Sequence, residues 1–348
     1  MKLYDNQLYI EDVTTICSID VPWEKLQNKS VMLSGATGLV GSFLIDVLLS
    51  KDINCTIYAL GRSEKKAKNR FSKWVNNRNF VFIQHDINKP LLCNNLETVD
   101  YVLHMASNTH PLQYSTDPIG TITTNIIGLQ NMLEFAAGHN ATRFAFSSSN
   151  EIYGENRGDV ELFSEDYCGY INSNTMRAGY PESKRCGEAL CQAYKVQKGL
   201  DVVIPRLTRS YGPTMLMTDT KAISQFVRKG IAGEDIVLKS KGTQFYSYTY
   251  VADAVSGLLY ILLKGDNGEA YNIADERSDI TLKDLAATIA DITGKKVVFD
   301  IPDAVEAAGY STATKARLDG KKLRSLGWKA KYDILSGMER TIRILSDI

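Results

Sequence analysis

Two hydrophobic periods alternate along most of the chain. Short apolar runs at Ser30 to Ser34, Cys55 to Leu60, Phe80 to Gln84, Val99 to Leu103, Arg143 to Phe146 and Asp201 to Pro205 predict buried strands. Between them the spacing turns helical. Phe43, Leu44, Val47 and Leu48 fall on one face, as do Ile126, Leu129, Met132 and Leu133 within a long segment from Pro118 to Ala137, and a further helix begins near Thr175. Strands that alternate with helices predict an α/β fold built on a doubly wound parallel sheet. Beyond residue 210 the pattern is less regular. Helices at 219–231, 253–264 and 281–293, a strand at 270–274 and a terminal helix after Trp328 predict a smaller C-terminal α/β lobe. The chain therefore divides into an arm (1–29) without clear periodicity, a sheet domain (30–210) and a mainly lobe-forming remainder (211–348) whose segments can cross back.

Composition narrows the function classes. The 348 residues are 44% hydrophobic and 23% charged with a formal net charge of +0, which gives no electrostatic footprint for nucleic acid or an anionic membrane. The six cysteines, Cys17, Cys55, Cys93, Cys168, Cys186 and Cys191, form no C-x-x-C pair and have no histidines at metal spacing, so free thiols and no metal site are expected. Residues 1–29 lack the apolar core of a signal peptide, and no run approaches the ~18 apolar residues of a membrane span. A cytoplasmic protein is expected.

The first strand runs into Gly35-Ala36-Thr37-Gly38-Leu39-Val40-Gly41 and then into a helix. Glycines there permit positive φ and close approach of a diphosphate, which the helix amino terminus attracts. This spacing is the form seen in Rossmann-type dinucleotide-binding domains. No Asp or Glu stands at the end of the next strand to hold a ribose 2′-hydroxyl. Arg62, followed by Lys65, Lys66, Lys68 and Arg70, could take a 2′-phosphate instead, which favours NADP over NAD. Asp86 and Ile87 end the third strand, where an adenine would lie, and Met105, Ala106 and Ser107 end the fourth. Asn125 sits inside a helix, suited to fixing a water or backbone group near the sheet centre.

The fifth strand delivers Ser147-Ser148-Ser149-Asn150-Glu151-Ile152-Tyr153-Gly154 at its carboxyl end, where ligands bind in open parallel sheets. A loop at 154–175, rich in Gly, Asp and Asn, has the character of a substrate lid. Tyr180 and Lys184 follow, four apart on one helix face. An ammonium beside a phenol favours the phenolate and lowers its pKa, so this pair can take a proton from a sugar hydroxyl while hydride leaves the same carbon.

From about residue 29 to 348 the chain resembles the extended short-chain dehydrogenase/reductases that modify nucleotide sugars. The resemblance is carried by Gly35 to Gly41, Ser149 to Gly154, Tyr180-x-x-x-Lys184, Arg206-x-x-Arg209-x-Tyr211-Gly212-Pro213 and Leu326-Gly327-Trp328. His104-Met105-Ala106-Ser107 and the Asp117 to Leu133 segment look most like UDP-glucuronate decarboxylases, with dTDP-glucose 4,6-dehydratases close behind. The resemblance implies that Tyr180 is the base for oxidation at C4, that Lys184 tunes it and binds the nicotinamide ribose, and that Ser149 meets the 4-hydroxyl. It also implies a tightly held nicotinamide cofactor and a homodimer through the helices bearing Asn125 and Tyr180.

Glu151 marks dehydratases and decarboxylases rather than simple epimerases. Two departures cut across that reading. Dehydratases usually carry Asp where this chain has Asn150, and an amide cannot serve as a general acid. An Arg usually stands at the position of Tyr246, and an Asn at that of Arg209; Arg209 is the candidate stand-in for the lost cation, with Lys315 a further candidate toward the diphosphate. Together with Ser107, Ser149, Asn150 and Tyr246, these form the expected substrate set. The leading expectation is C4 oxidation of a nucleotide sugar followed by Glu151-assisted elimination or decarboxylation. A 4-epimerase is the alternative, and a non-catalytic dinucleotide-binding regulator the alternative of another class.

Overall fold

The computed structural model describes residues 2–92, 96, 98–109, 114, 116–216, 218–300 and 314–348, so Cys93 lies outside the described residues; the other five cysteines are free thiols. The strands of the main sheet are β1 (Ser30–Ser34), β2 (Thr56–Gly61), β3 (Phe80–Gln84), β4 (Tyr101–His104), β5 (Arg143–Phe146), a two-residue β6 (Ser148–Ser149) and β7 (Val202–Leu207). A second group comprises β8 (Arg209–Tyr211), β9 (Ile236–Leu238), β10 (Phe245–Tyr250), β11 (Ala270–Ile273), β12 (Asp279–Thr281), β13 (Val297–Phe299) and β14 (Lys315–Ala316).

The main sheet has the order β11-β7-β5-β4-β1-β2-β3, with β6 extending along β7, and every pairing in it is parallel. It reverses direction between β1 and β4, so the crevice of a doubly wound sheet opens at their carboxyl ends. Helices Leu39–Ser50, Pro118–Gly138 and Gly179–Lys198 cover its faces, and the central residues Val31, Met32, Leu33, Val102 and Leu103 are wholly buried. Apolar packing from both sides is why these strands read as continuous hydrophobic runs.

After β7 the chain leaves this sheet at Thr208 and enters a smaller one, β12-β10-β14 with β8 on β10, while β9 and β13 form a separate parallel pair. Helix Val251–Lys264 is almost entirely buried, and β11 returns to the main sheet beside β7, so the two parts share one packed interior. Residues 7–17 of the arm form a helix. Asp12 on its inner face accepts hydrogen bonds from the phenols of Tyr250 (2.5 Å) and Tyr332 (2.7 Å) and from Arg340 Nε (2.7 Å), tying the arm to β10 and the terminal helix Ile334–Asp347. None of those partners is within 230 residues in sequence, which is why periodicity alone left the arm unassigned.

The 154–175 loop is not the free lid its composition suggests. Phe163 is fully buried and bridges to Leu318, Glu155 bridges to Tyr170, and Arg206 and Arg185 donate to the carbonyls of Glu165 (2.6 Å) and Gly169 (2.7 Å).

Candidate active site

The crevice between β1 and β4 is shaped by backbone. Gly35 has φ +74, and a Cβ built on it would lie 2.8 Å from the Ala106 nitrogen and the Met105 carbonyl carbon, so only glycine lets the two strand ends approach. A Cβ on Gly41 would meet the Gly35 oxygen at 2.5 Å. Gly38 caps helix Leu39–Ser50 with no side-chain acceptor, leaving the first amides of the turn to a ligand. The Ser34 hydroxyl accepts from the amides of Met105 (3.2 Å) and Ala106 (3.3 Å) and so fixes the opposite wall. The carbonyl of Leu39 accepts from Thr214 of the second part (2.8 Å), which closes the end of the turn that Thr37 and Val40 complete. This cradle fits the diphosphate of a nicotinamide dinucleotide.

The outer residues divide. Arg62 is exposed just past β2, with its carbonyl held by Gln84 (3.2 Å). The basic run behind it is partly consumed: Arg70 is locked to Asp46 (2.6 Å) and to the phenols of Tyr4 and Tyr9, and Lys68 pairs with Glu64 (2.8 Å). Asp86 closes its own turn by accepting from the Asn88 amide (3.1 Å), and Ile87 packs on Gly128 of the long helix.

The pairing of β6 with β7 sets Ser149 opposite Leu207. Ser149 then caps the tight turn Asn150–Tyr153 by accepting from the Glu151 amide (3.2 Å). Across the crevice, helix Gly179–Lys198 presents Tyr180, Lys184 and Glu188 at successive four-residue steps. Ser149 and Ser107 both lie near enough to the Tyr180 phenol to pull its pKa downward. Ser107 donates to Asn125 (2.7 Å), Asn125 donates to Ser183 (2.9 Å), and Ser183 donates to the Tyr180 carbonyl (2.8 Å). Asn125 is thus a clamp between two helices and the β4 loop, and the structure brings Ser107, Asn125, Ser149, Tyr180 and Lys184 together.

The expected lowering of the phenol pKa is reversed in this chain. Burial, reinforced by the nearby Glu151 carboxylate, pushes Tyr180 well above its ordinary value, against the pull of Ser149, Ser107 and Arg177. Lys184 Nζ lies 5.9 Å from the Tyr180 ring centroid, donates to the Ser147 carbonyl (2.8 Å) and sits over Phe146. Burial lowers its pKa to about 7, opposed by the carboxylate of Glu188. Desolvation therefore outweighs the attraction that the four-residue spacing suggested.

Glu151 is not free. Arg177 grips it with both guanidinium ends, at 2.9 and 3.0 Å, and stacks on Tyr114 at 4.9 Å; Tyr114 in turn stacks on Tyr180 with centroids 5.0 Å apart. Sequence reasoning missed Arg177 and Tyr114. The signal for Arg177 was its place three residues before Tyr180, whereas nothing local marked Tyr114. Also missed was the buried support behind the site. Arg206 holds Glu188 with two contacts (2.7 and 3.0 Å) and donates to Tyr153 (2.9 Å), Ser148 donates to Glu188 (2.5 Å), and Tyr153 donates to Asn272 on β11 (2.6 Å).

Of the substrate set, Asn150 is buried in the tight turn. The Arg209 guanidinium lies 3.5 Å from the centroid of the Tyr246 ring, so the two unusual positions touch each other. Lys315 is exposed on β14, opposite Phe245, one position from Tyr246.

Comparison with known proteins agrees with this geometry. UDP-glucuronic acid decarboxylase 5 of Arabidopsis thaliana is 32% identical over 315 residues, spanning 89% of this chain and 87% of its own. UDP-glucuronic acid decarboxylase 1 of Danio rerio is 30% identical over 322 residues, spanning 91% and 73%. The solved UDP-glucuronic acid 4-epimerase of Bacillus cereus, in complex with UDP-glucuronic acid and NAD, has TM-score 0.79 over 91% of this chain and 99% of that one at 23% identity, a likeness of fold alone. The family model described as NAD dependent epimerase/dehydratase family matches residues 31–274, and the chain belongs to that family.

Proposed function

We propose that this enzyme decarboxylates a nucleotide-activated hexuronate, by oxidation at C4, loss of the C6 carboxylate as carbon dioxide, and reduction back at C4. The observation that carries the choice is Arg177 clamped on Glu151 three residues before Tyr180. A carboxylate meant to abstract the C5 proton in a dehydration would have to leave the guanidinium that engages both its oxygens. Decarboxylation needs no such base, and a cation beside the reacting carbon helps to seat an anionic sugar. The decarboxylases among the relatives and the amide at Asn150 support the same choice.

When bound, the nicotinamide cofactor takes hydride from C4 and later returns it. Tyr180, as the phenolate, accepts the proton of the 4-hydroxyl and becomes the phenol, with Ser149 beside it. The resulting 4-ketone is β to the carboxylate, so the C5–C6 bond breaks with its electrons passing into the ketone. Glu151, positioned by Arg177, orders the water that protonates C5. Tyr180 then gives its proton back to the oxygen at C4.

NAD or NADP would fill the glycine cradle. The exposed Arg62 and the lack of an acidic residue at the end of β2 support acceptance of a 2′-phosphate. The reading includes a cytoplasmic homodimer through helices Pro118–Gly138 and Gly179–Lys198. Exposed Ile119, Ile127 and Val196 on these helices support the dimer.

Incubation with UDP-glucuronate, UDP-glucose and dTDP-glucose, with product masses read, tests the reaction. Loss of carbon dioxide from the hexuronate is expected; loss of water or an unchanged mass would replace decarboxylation by dehydration or epimerisation. Arg177→Met is expected to cost about 30-fold in kcat/KM for the hexuronate, the size of one charged hydrogen bond.

A further inference from the structure

We propose that Arg209, backed by the ring of Tyr246, holds an oxyanion of the substrate, so that the anion-binding charge of this site stands on β8 rather than on β10. The inference rests on the reading that the substrate is a nucleotide sugar, and it names the residue that selects for charge on it.

Position comes first. Leu207 is in register with Ser149, and the chain runs on through Thr208 to Arg209. Two residues of extended chain reach about 7 Å, so Arg209 follows closely on the residue that is in register with Ser149. The Thr208 and Thr249 hydroxyls are hydrogen-bonded at 2.5 Å, and Arg209 is in register with Tyr248, so its backbone is fixed by both sheets.

The arrangement of the side chain points to a ligand. A centroid distance of 3.5 Å lays the guanidinium against the Tyr246 ring, which occupies one face and leaves the N–H edge to bond. Nη1 is buried and has no hydrogen-bond partner among the described residues. Guanidinium cannot shed its charge, and a buried charged donor without an acceptor is costly, so such a group is retained where something outside the chain completes it.

The other arginines of the interior behave differently. Arg70, Arg206 and Arg340 each hold a carboxylate, at 2.6 to 2.7 Å. Among the described residues no acidic side chain pairs with Arg209; its ring neighbour Tyr246 and the Tyr248 phenol, which it pulls downward in pKa against burial, carry no fixed negative charge. A cation so placed attracts an anion. A diphosphate oxygen and a hexuronate carboxylate share the required chemistry, a planar or tetrahedral oxyanion that accepts two N–H bonds.

Calorimetric titration of the NAD-loaded full chain with uridine, UDP, UDP-glucose and UDP-glucuronate, and with thymidine and dTDP, separates the possibilities. Arg209→Met is expected to weaken UDP and both UDP-sugars by about 30-fold, the worth of one charge-assisted hydrogen bond, and to leave uridine unchanged. Selective weakening of UDP-glucuronate alone would equally support the site and assign the oxyanion to the sugar carboxylate. Unchanged affinity for every ligand, or an equal loss for uridine, which has no oxyanion, would overturn it. Arg209→Lys, which keeps the charge and the fold but not the fork, is expected to bind UDP between the other two. If the unaltered enzyme bound none of the nucleotides, the nucleotide-sugar reading itself would fail, whereas tight wild-type binding with an indifferent Arg209→Met would sink the role of Arg209 alone.

Discussion

The two walls of the crevice are made in different ways. The cofactor wall is main chain: Gly35 and Gly41 bring β1, β4 and a helix start together at distances no side chain would permit, with Gly38 capping that helix. The opposite wall is side chain on side chain. Arg177 grips Glu151, Arg209 lies on Tyr246, and Arg206 is buried on Glu188 and Tyr153. A backbone cradle is common to any dinucleotide and tolerates little change, whereas paired side chains can be exchanged for other pairs and so retune which substrate is held.

The contrast can be broken at several points. The largest effect is expected at the meeting of the walls: Tyr180→Phe should lower turnover about 1,000-fold by removing the acid–base group, with NAD affinity unchanged in equilibrium titration. A parallel loss of cofactor affinity would mean that Tyr180 belongs to the cradle rather than to the chemistry. Next, Arg206→Met strands a half-buried Glu188 and should cost about 3 kcal/mol of stability in chemical denaturation, without a selective effect on any one substrate.

The pH dependence should separate the two parts of the chain by sign. Lys184 has a pKa of about 7 in the fold against an ordinary 10.5, so its contribution is fully present above 10.5 and is lost as pH falls toward about 7. Asp253, on the buried helix of the second part, is raised by burial from 3.8 to about 7, so its contribution is present below 3.8 and is lost as pH rises through about 7. Thermal melting against pH should therefore flatten above neutrality in Lys184→Met and below neutrality in Asp253→Asn. The smallest effect is at the exposed rim. Arg62→Ala should weaken NADP about five-fold, as expected of a solvent-screened contact, and leave NAD unchanged in the same titration.

Much of the site was legible in local pattern. The glycine turn, Ser149 behind an apolar strand and Tyr180 four residues before Lys184 all fall within single elements, where spacing dictates geometry. What was not legible depended on solvent exclusion or on remote partners. The Tyr180–Lys184 spacing is present, yet burial of both groups reversed the expected shift of the phenol. The basic run after Arg62 reads as a continuous surface face, yet Arg70 turns inward to Asp46, 24 residues away, and to Tyr4, 66 residues away. The loop at 154–175 reads as a lid, yet Phe163 and Glu165 pin it to β11 and to Arg206.

By itself the amino-acid sequence determined the class of sheet, the place of the glycine turn and the Tyr180–Lys184 spacing on one helix face, because each follows from periodicity or from contacts a few residues apart. Only the tertiary structure decided which charges are paired. Arg177 with Glu151, Arg206 with Glu188 and Arg209 against Tyr246 are separated by 26, 18 and 37 residues, and no local period connects them. The strength of each depends on how much water the folded chain excludes around it, a quantity that exists only once the sheets have closed on one another.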